Sequence, residues 1–134
     1  MSEIGSTPMS TTLLASALYN VAFGIFHLSF WRLFRWSEEL PRLGKINRSV
    51  MQILNLRLTY TFFFMGVLFA VIGRQHVSGL LPMLLVGGMG VFWLMRAVEQ
   101  LWFFGWRNAA SNAMTFIFSG GAVLHLMAAT QVRN

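Results

Sequence analysis

Four long apolar runs organise the sequence, and short polar segments or segments containing glycine and proline separate them. The runs predict helices over residues about 13–36, 49–73, 80–104 and 109–130. Each run is long enough to cross a hydrocarbon core about 30 Å thick, which takes about 20 helical residues. We therefore predict an all-α polytopic membrane protein, in which residues 13–130 form a single four-transmembrane-helix bundle. Polar tails are predicted over residues 1–12 and 131–134.

Aromatic and basic residues mark the ends of two of these runs. The first run closes in FWRLFRW and the third in LWFFGWR. Tryptophan rings next to arginines are typical of the headgroup region of a membrane. At the start of the second run, Ser49 and Gln52 have the spacing of a helix capping box. The segment from Asn108 to Asn112 is predicted to cap the fourth helix.

The composition favours a membrane protein and excludes several kinds of site. Hydrophobic residues make up 56% of the chain and charged residues 10%, whereas soluble proteins have about 25% charged residues. The chain has no cysteine, which excludes disulfides, thiolate zinc sites and cysteine-ligated iron–sulfur clusters. The net charge is +6. Because the basic residues lie beside apolar runs, we expect membrane lipid as their partner and no nucleic acid.

The distribution of lysine and arginine predicts the orientation of the chain, since basic residues favour cytoplasmic loops. The basic residues in or beside the first and third connections are Arg32, Arg35, Arg42, Lys45, Arg48 and Arg107. Only Arg74 and Arg133 lie near the opposite ends of the runs. We therefore predict that both termini are non-cytoplasmic, in a plasma membrane or a bacterial inner membrane.

The candidate functional site is a polar face late in the third predicted helix. Arg96, Glu99 and Gln100 are spaced i, i+3 and i+4, so they share one helix face. Ionisable residues inside a membrane are costly and normally face a partner or a water-filled cavity. Counting about 1.5 Å per residue from the helix ends places polar residues of the first two helices at a similar depth. The predicted ligand-binding residues are Arg96, Glu99, Gln100, His27, Asn55 and Gln52.

Two further polar residues lie deeper in the predicted helices. Asn20 and His125 fall farther from the cytoplasmic ends, and we predict that they form a second polar pair. No cofactor and no metal is predicted, because no HxxxH or ExxH pair occurs on a helix. Haem b held by His27 and His125 is disfavoured, since the two histidines fall at different estimated depths.

The leading functional hypothesis is binding or passage of a small or lipophilic ligand at the Arg96 and Glu99 site, in a homo-oligomer. One alternative is a membrane-embedded enzyme acting on a lipophilic substrate, with Glu99 and His27 as the candidate acid and base. Another is a structural subunit of a larger membrane complex, in which the polar groups hold helices together. The sequence leaves open whether the protein is an enzyme. Candidate subunit contacts are the small residues Gly66, Ala70, Gly87, Gly88 and Gly90.

Overall fold

The computed structural model describes residues 10–133, and these residues are almost entirely helical. The four long helices are α1 (Thr11–Leu28), α4 (Lys45–Arg74), α5 (Leu80–Phe104) and α6 (Ala109–Gln131). Two short helices, α2 (Phe30–Leu33) and α3 (Trp36–Glu39), and a 3₁₀ turn over Leu40–Arg42 connect α1 to α4. Each of the four long helices is long and apolar enough to cross a membrane. The predicted all-α class with four membrane-spanning helices is confirmed, and the chain is a membrane-embedded protein.

The described residues divide into two compact units. The continuous unit is Ala17–Leu68, which contains most of α1 and most of α4. The discontinuous unit combines residues 10–16 with residues 69–133, so it contains α5, α6 and the first turns of α1. The prediction of one domain over residues 13–130 stays a prediction.

In the continuous unit, α1 and α4 pack closely because α4 has a glycine at their contact. A Cβ atom added to Gly66 would lie 2.6 Å from Cγ2 of Val21 and 3.1 Å from the carbonyl oxygen of Ala17. The buried rings of Phe23 and Phe62 meet across the same two helices, with centroids 5.9 Å apart. A residue without a side chain lets two helix backbones approach where lipid supplies no hydrophobic driving force. Gly66 therefore serves a contact within the chain.

In the discontinuous unit, α5 packs against α6. A Cβ atom added to Gly90 would lie 2.9 Å from the side chain of Leu126 and 3.2 Å from its backbone nitrogen. The rings of Trp93 and Phe118 stack at 5.8 Å with an interplanar angle of 16°. By contrast, a Cβ atom on Gly88 would meet nothing within 4 Å. Of these two glycines, only Gly88 is open for a contact with another subunit.

The start of α1 and the end of α6 are joined within the discontinuous unit. The hydroxyls of Ser10 and Thr12 both donate hydrogen bonds to Oε1 of Gln131. The backbone N–H of Gly79 donates to the carbonyl of Val132 at 2.7 Å, and Val132 is buried. Gln131 and Val132 thus make contacts within the unit, and the polar tail predicted over residues 131–134 stays a prediction. Residues 1–9 of the other predicted tail, and Asn134, lie outside the described residues.

The helix boundaries agree with the prediction for α5 and nearly so for α6, whereas α4 begins earlier than predicted. The cap of α6 is confirmed, because Asn108 Oδ1 accepts the N–H of Ser111 at 2.8 Å. The predicted capping box at Ser49 is wrong, because α4 begins at Lys45 and runs through this position. The amide of Gln52 instead donates to the carbonyl of Arg48, one turn back in the same helix.

The first predicted helix, over residues about 13–36, is wrong in its last third. Helix α1 ends at Leu28, and the hydroxyl of Ser29 donates to the carbonyl of Phe26 at 2.6 Å. Arg35 then adopts a left-handed conformation, with φ 49° and ψ 44°, between α2 and α3. Serine side chains compete with the helix for backbone carbonyls, and the apolar pattern does not reveal this competition. The FWRLFRW sequence therefore belongs to the connection between two spans.

Candidate polar site

On α5, Arg96 lies between a carboxylate, an amide and an aromatic ring. Its Nη1 is 3.7 Å from Oε2 of Glu99, and its Nη2 donates to Oε1 of Gln100 at 3.3 Å. Its guanidinium carbon lies 4.7 Å from the ring centroid of Phe118 on α6, within the range of a cation–π interaction. The structure therefore brings the three predicted residues of α5 together and adds an aromatic face that the prediction did not contain.

The amide of Gln100 links this group to the start of α6. Gln100 is buried, and its Nε2 donates to the hydroxyl oxygen of Ser111 at 3.2 Å. That hydroxyl in turn donates to the carbonyl of Gly105 at 2.7 Å. Because Nε2 points to Ser111, Oε1 of Gln100 faces Arg96. A buried chain of polar contacts thus sets the orientation of the guanidinium.

The local sequence explains how Ser111 reaches this position. Gly105 ends α5 with φ 61°, a conformation that glycine adopts without strain. Asn108 then caps α6, which places Ser111 in the first turn, on the buried side of the helix. Sequence reasoning predicted the cap but missed the contact of Ser111 with Gln100. The only sequence signal was the three-residue spacing from the capping asparagine.

The carboxylate of Glu99 lies on a face of α5 that is otherwise apolar and exposed. The Glu99 side chain is 51% exposed and that of Arg96 is 32% exposed. Met95, Val98 and Trp102, which neighbour Glu99 along the helix, are all exposed. Arg96 and Glu99 are therefore accessible from the side of α5, on a surface suited to contact with lipid or with another chain.

A column of buried rings continues from Phe118 into the discontinuous unit. Trp93 stacks on Phe118 and lies 6.4 Å from the ring of His125, which is 5.7 Å from the ring of Phe69. His125 is fully buried, and its Nδ1 donates to the carbonyl of Gly121 at 2.7 Å. The stacked rings of Phe118 and Trp93 therefore lie between Arg96 and His125.

In the continuous unit, His27 and Asn55 form a reciprocal pair between α1 and α4. Nδ1 of His27 donates to Oδ1 of Asn55 at 2.8 Å, and Nδ2 of Asn55 donates to the carbonyl of His27 at 3.1 Å. The imidazole also stacks on the ring of Phe30, with centroids 4.3 Å apart and an interplanar angle of 23°. Two predicted site residues are thus brought together.

The other predicted residues fall outside these two groups. The Gln52 side chain donates to the backbone carbonyl of Arg48 in its own helix, and its predicted role in ligand binding stays a prediction. Asn20 is fully buried in the continuous unit, and His125 is fully buried in the discontinuous unit. The predicted pairing of Asn20 with His125 stays a prediction. A single site that would combine His27 and Asn55 with the polar residues of α5 also stays a prediction.

A separate cavity of about 200 Å³ lies near the two joined helix ends of the discontinuous unit. Ser10, Leu13, Ile72, His76 and Gln131 are among the residues that line it. His76 is exposed, as expected for a residue of a turn, and its backbone has φ 50°. The cavity combines hydroxyl, amide and imidazole groups with aliphatic walls, and sequence reasoning did not predict it.

Within residues 10–133, no three histidine, aspartate or glutamate side chains are grouped as metal ligands. No protein-family profile, curated protein or solved structure matches the chain. Function must therefore be inferred from the contacts themselves.

Proposed function

We propose that this membrane protein binds or passes a small or lipophilic ligand at the group formed by Arg96, Glu99 and Gln100. The observation that carries the proposal is the half-exposed carboxylate of Glu99 beside a partly exposed guanidinium, on an otherwise apolar face of α5. Charged groups inside a membrane are costly and mark ligand or ion pathways. A ligand that approaches from the bilayer would meet both charges without crossing the interior of the protein.

The contacts of Arg96 favour a ligand with an oxygen-bearing head. A guanidinium has five N–H donors, and one of them makes the hydrogen bond to Gln100. The 3.7 Å separation from Glu99 is longer than a hydrogen bond, so the ion pair leaves donors for a ligand. Phe118 and the buried Gln100–Ser111 contact hold the guanidinium in place. A carbonyl, carboxylate or phosphate oxygen would complete the site, with an apolar tail against the exposed face of α5.

The proposal includes a homo-oligomer in a plasma membrane or a bacterial inner membrane, with both termini non-cytoplasmic. Gly88 supports a subunit contact, because it is exposed and lies three turns from Glu99 on the same side of α5. The predominance of basic residues at one end of the spans supports the orientation.

Native mass spectrometry of the protein extracted gently from its membrane tests this function, because it reports oligomeric state and bound small molecules together. We expect an adduct on the wild type that Arg96→Gln loses. Arg57→Gln is the matched control, because Arg57 is an exposed arginine of α4 without an ion pair among residues 10–133. An adduct that survives Arg96→Gln, or that Arg57→Gln removes equally, would contradict the proposed site.

Flux measurements in proteoliposomes separate passage of the ligand from binding alone. If the ligand is passed, Glu99→Gln abolishes flux while the protein remains folded, and Glu38→Gln at an exposed position outside the spans leaves flux intact. A monomer that carries a lipophilic molecule and shows no flux would contradict passage and would point to the enzyme alternative. In that alternative, His27 and Glu99 remain the candidate acid and base.

A further inference from the structure

The chain between α1 and α4 folds as an ordered connection, which we call the connecting segment (residues 29–48). It consists of α2, the left-handed Arg35, α3, the 3₁₀ turn and the first turn of α4. Within the segment, the side chains of Trp36 and Leu40 are buried. The ring of Phe30 meets the Trp36 ring at 5.9 Å in an edge-to-face contact. These buried residues fix one side of the segment and leave the other side exposed.

The exposed side combines large apolar side chains with basic ones. The exposed apolar residues of the segment are Trp31, Leu33, Phe34, Leu43 and Ile46. Arg32 and Arg35 alternate with these rings along the chain, and both are exposed. A tryptophan ring beside an arginine, directly after a membrane-spanning helix, matches the chemistry of lipid headgroups and the adjoining acyl chains.

The charges of the segment are unbalanced. It holds five basic and two acidic residues, a formal excess of three positive charges. Arg35 pairs with Glu38 at 2.5 Å, and Arg42 pairs with Glu39 at 2.9 Å, so both acidic residues are engaged within the segment.

Three basic side chains of the segment, those of Arg32, Lys45 and Arg48, make no ion pair with any residue in the range 10–133. The first turn of α4, which contains Lys45 and Arg48, has no acidic residue. In the sequence, Arg32 precedes the two ion pairs and Lys45 and Arg48 follow them, so the unpaired positive charges flank the ion pairs.

We propose that the connecting segment binds the phosphate groups of anionic phospholipids in the leaflet that it faces. Arg32, Lys45 and Arg48 contact the phosphates, and the rings of Trp31 and Phe34 lie among the adjoining acyl chains. The exposed rings favour a lipid surface over an acidic protein, because a lipid supplies the anion and the apolar layer together. This lipid site shares no residue with the ligand site on α5, and the proposal does not rest on that site.

The test is native mass spectrometry of the full chain in micelles that contain equal amounts of phosphatidylglycerol and phosphatidylcholine. We expect phosphatidylglycerol adducts to predominate on the wild type. Each of the single variants Arg32→Gln, Lys45→Gln and Arg48→Gln should lower the preference for phosphatidylglycerol about fivefold. Added salt should lower this preference as well. The double variant Arg74→Gln with Arg133→Gln is the control, because it removes two positive charges outside the connecting segment. Arg74 is at the opposite end of α4 from Lys45, and Arg133 follows α6.

Equal retention of the two lipids by the wild type would overturn the proposal. So would an equal loss of preference in the control variant. Displacement of phosphatidylglycerol by inorganic phosphate would show an anion site that does not need a lipid, and would overturn the assignment to a lipid surface. If one of the single variants fails to fold, the other two and the charge-preserving Arg32→Lys decide the result. We expect Arg32→Lys to keep the preference and Arg32→Gln to reduce it.

Discussion

Asn55 binds both the side chain and the backbone of His27. Its Oδ1 accepts from Nδ1 of the imidazole at 2.8 Å, and its Nδ2 donates to the carbonyl of His27 at 3.1 Å. The second bond fixes which way the amide points, so the first bond places the proton of a neutral His27 on Nδ1. The acceptor of the neutral ring is then Nε2, and chemistry assigned to His27 has to use that nitrogen.

The reciprocal pair makes Asn55 a stabilising residue of the continuous unit. We expect Asn55→Leu to lower the free energy of unfolding by about 1–2 kcal/mol, because it removes two hydrogen bonds between helices. Gln52→Leu on the same helix is the control and should cost less than about 0.5 kcal/mol, because Gln52 bonds to the backbone of its own helix and to no other helix within residues 10–133. Unfolding of the purified variants by sodium dodecyl sulfate measures both. Equal losses would contradict a special role for the pair.

The charged side chains of Arg96 and Glu99 should contribute unequally to the stability of the protein. Glu99→Gln should change the free energy of unfolding by less than about 1 kcal/mol, because the ion pair is long and the carboxylate half-exposed. Arg96→Gln should cost more, since it also removes the cation–π contact with Phe118 and the hydrogen bond to Gln100. Thermal unfolding in detergent compares the two variants. The opposite order would show that Glu99, not Arg96, holds the group together.

Ser111 should be coupled energetically to Gln100. A double-mutant cycle with Gln100→Ala and Ser111→Ala should give a coupling free energy of at least about 0.5 kcal/mol, because the two side chains share a buried hydrogen bond. Asn108→Ala should cost about 1 kcal/mol through loss of the helix cap that positions Ser111. Additivity in the Gln100–Ser111 cycle would mean that their hydrogen bond does not stabilise the protein.

Gly66 should tolerate no side chain, whereas Gly88 should tolerate one. Gly66→Ala should destabilise by about 1–3 kcal/mol, since the added methyl group overlaps Val21 and the Ala17 carbonyl. Gly88→Ala meets open space and should be neutral or slightly stabilising, because alanine favours the helix over glycine. Stability measurements in detergent at low protein concentration separate this effect from any change in subunit association. A neutral Gly66→Ala would show that α1 and α4 can move apart at no cost.

The sequence pattern predicted the spans because long apolar runs leave few other structures in a membrane. Both ends of α5 agreed with the prediction, since Gly79 and Gly105 bracket the run and both adopt positive φ. The end of α1 did not agree. The residues after Leu28 are compatible with a helix, and the break at Ser29 depends on a hydroxyl that takes the Phe26 carbonyl. Hydropathy carries no information about such a bond.

The polar site was predictable only in part. The spacing of Arg96, Glu99 and Gln100 follows from helix geometry alone, and the structure keeps them together. Depth estimates placed Gln52 beside Asn55, but they cannot tell a side chain that reaches another helix from one that bonds to its own backbone. The contact of Gln100 with Ser111 depends on how tightly the chain turns at Gly105, which the sequence does not specify.

The joining of Ser10 and Thr12 to Gln131 has a consequence for the order in which the protein can be assembled. All residues of the continuous unit are available once residue 68 has emerged from the ribosomal exit tunnel. The first turn of α1 emerges earlier, but its hydrogen-bonding partner on α6 is synthesised only after α4 and α5. A chain halted before Gln131 could therefore fold the continuous unit, while the discontinuous unit would lack the contact that closes it.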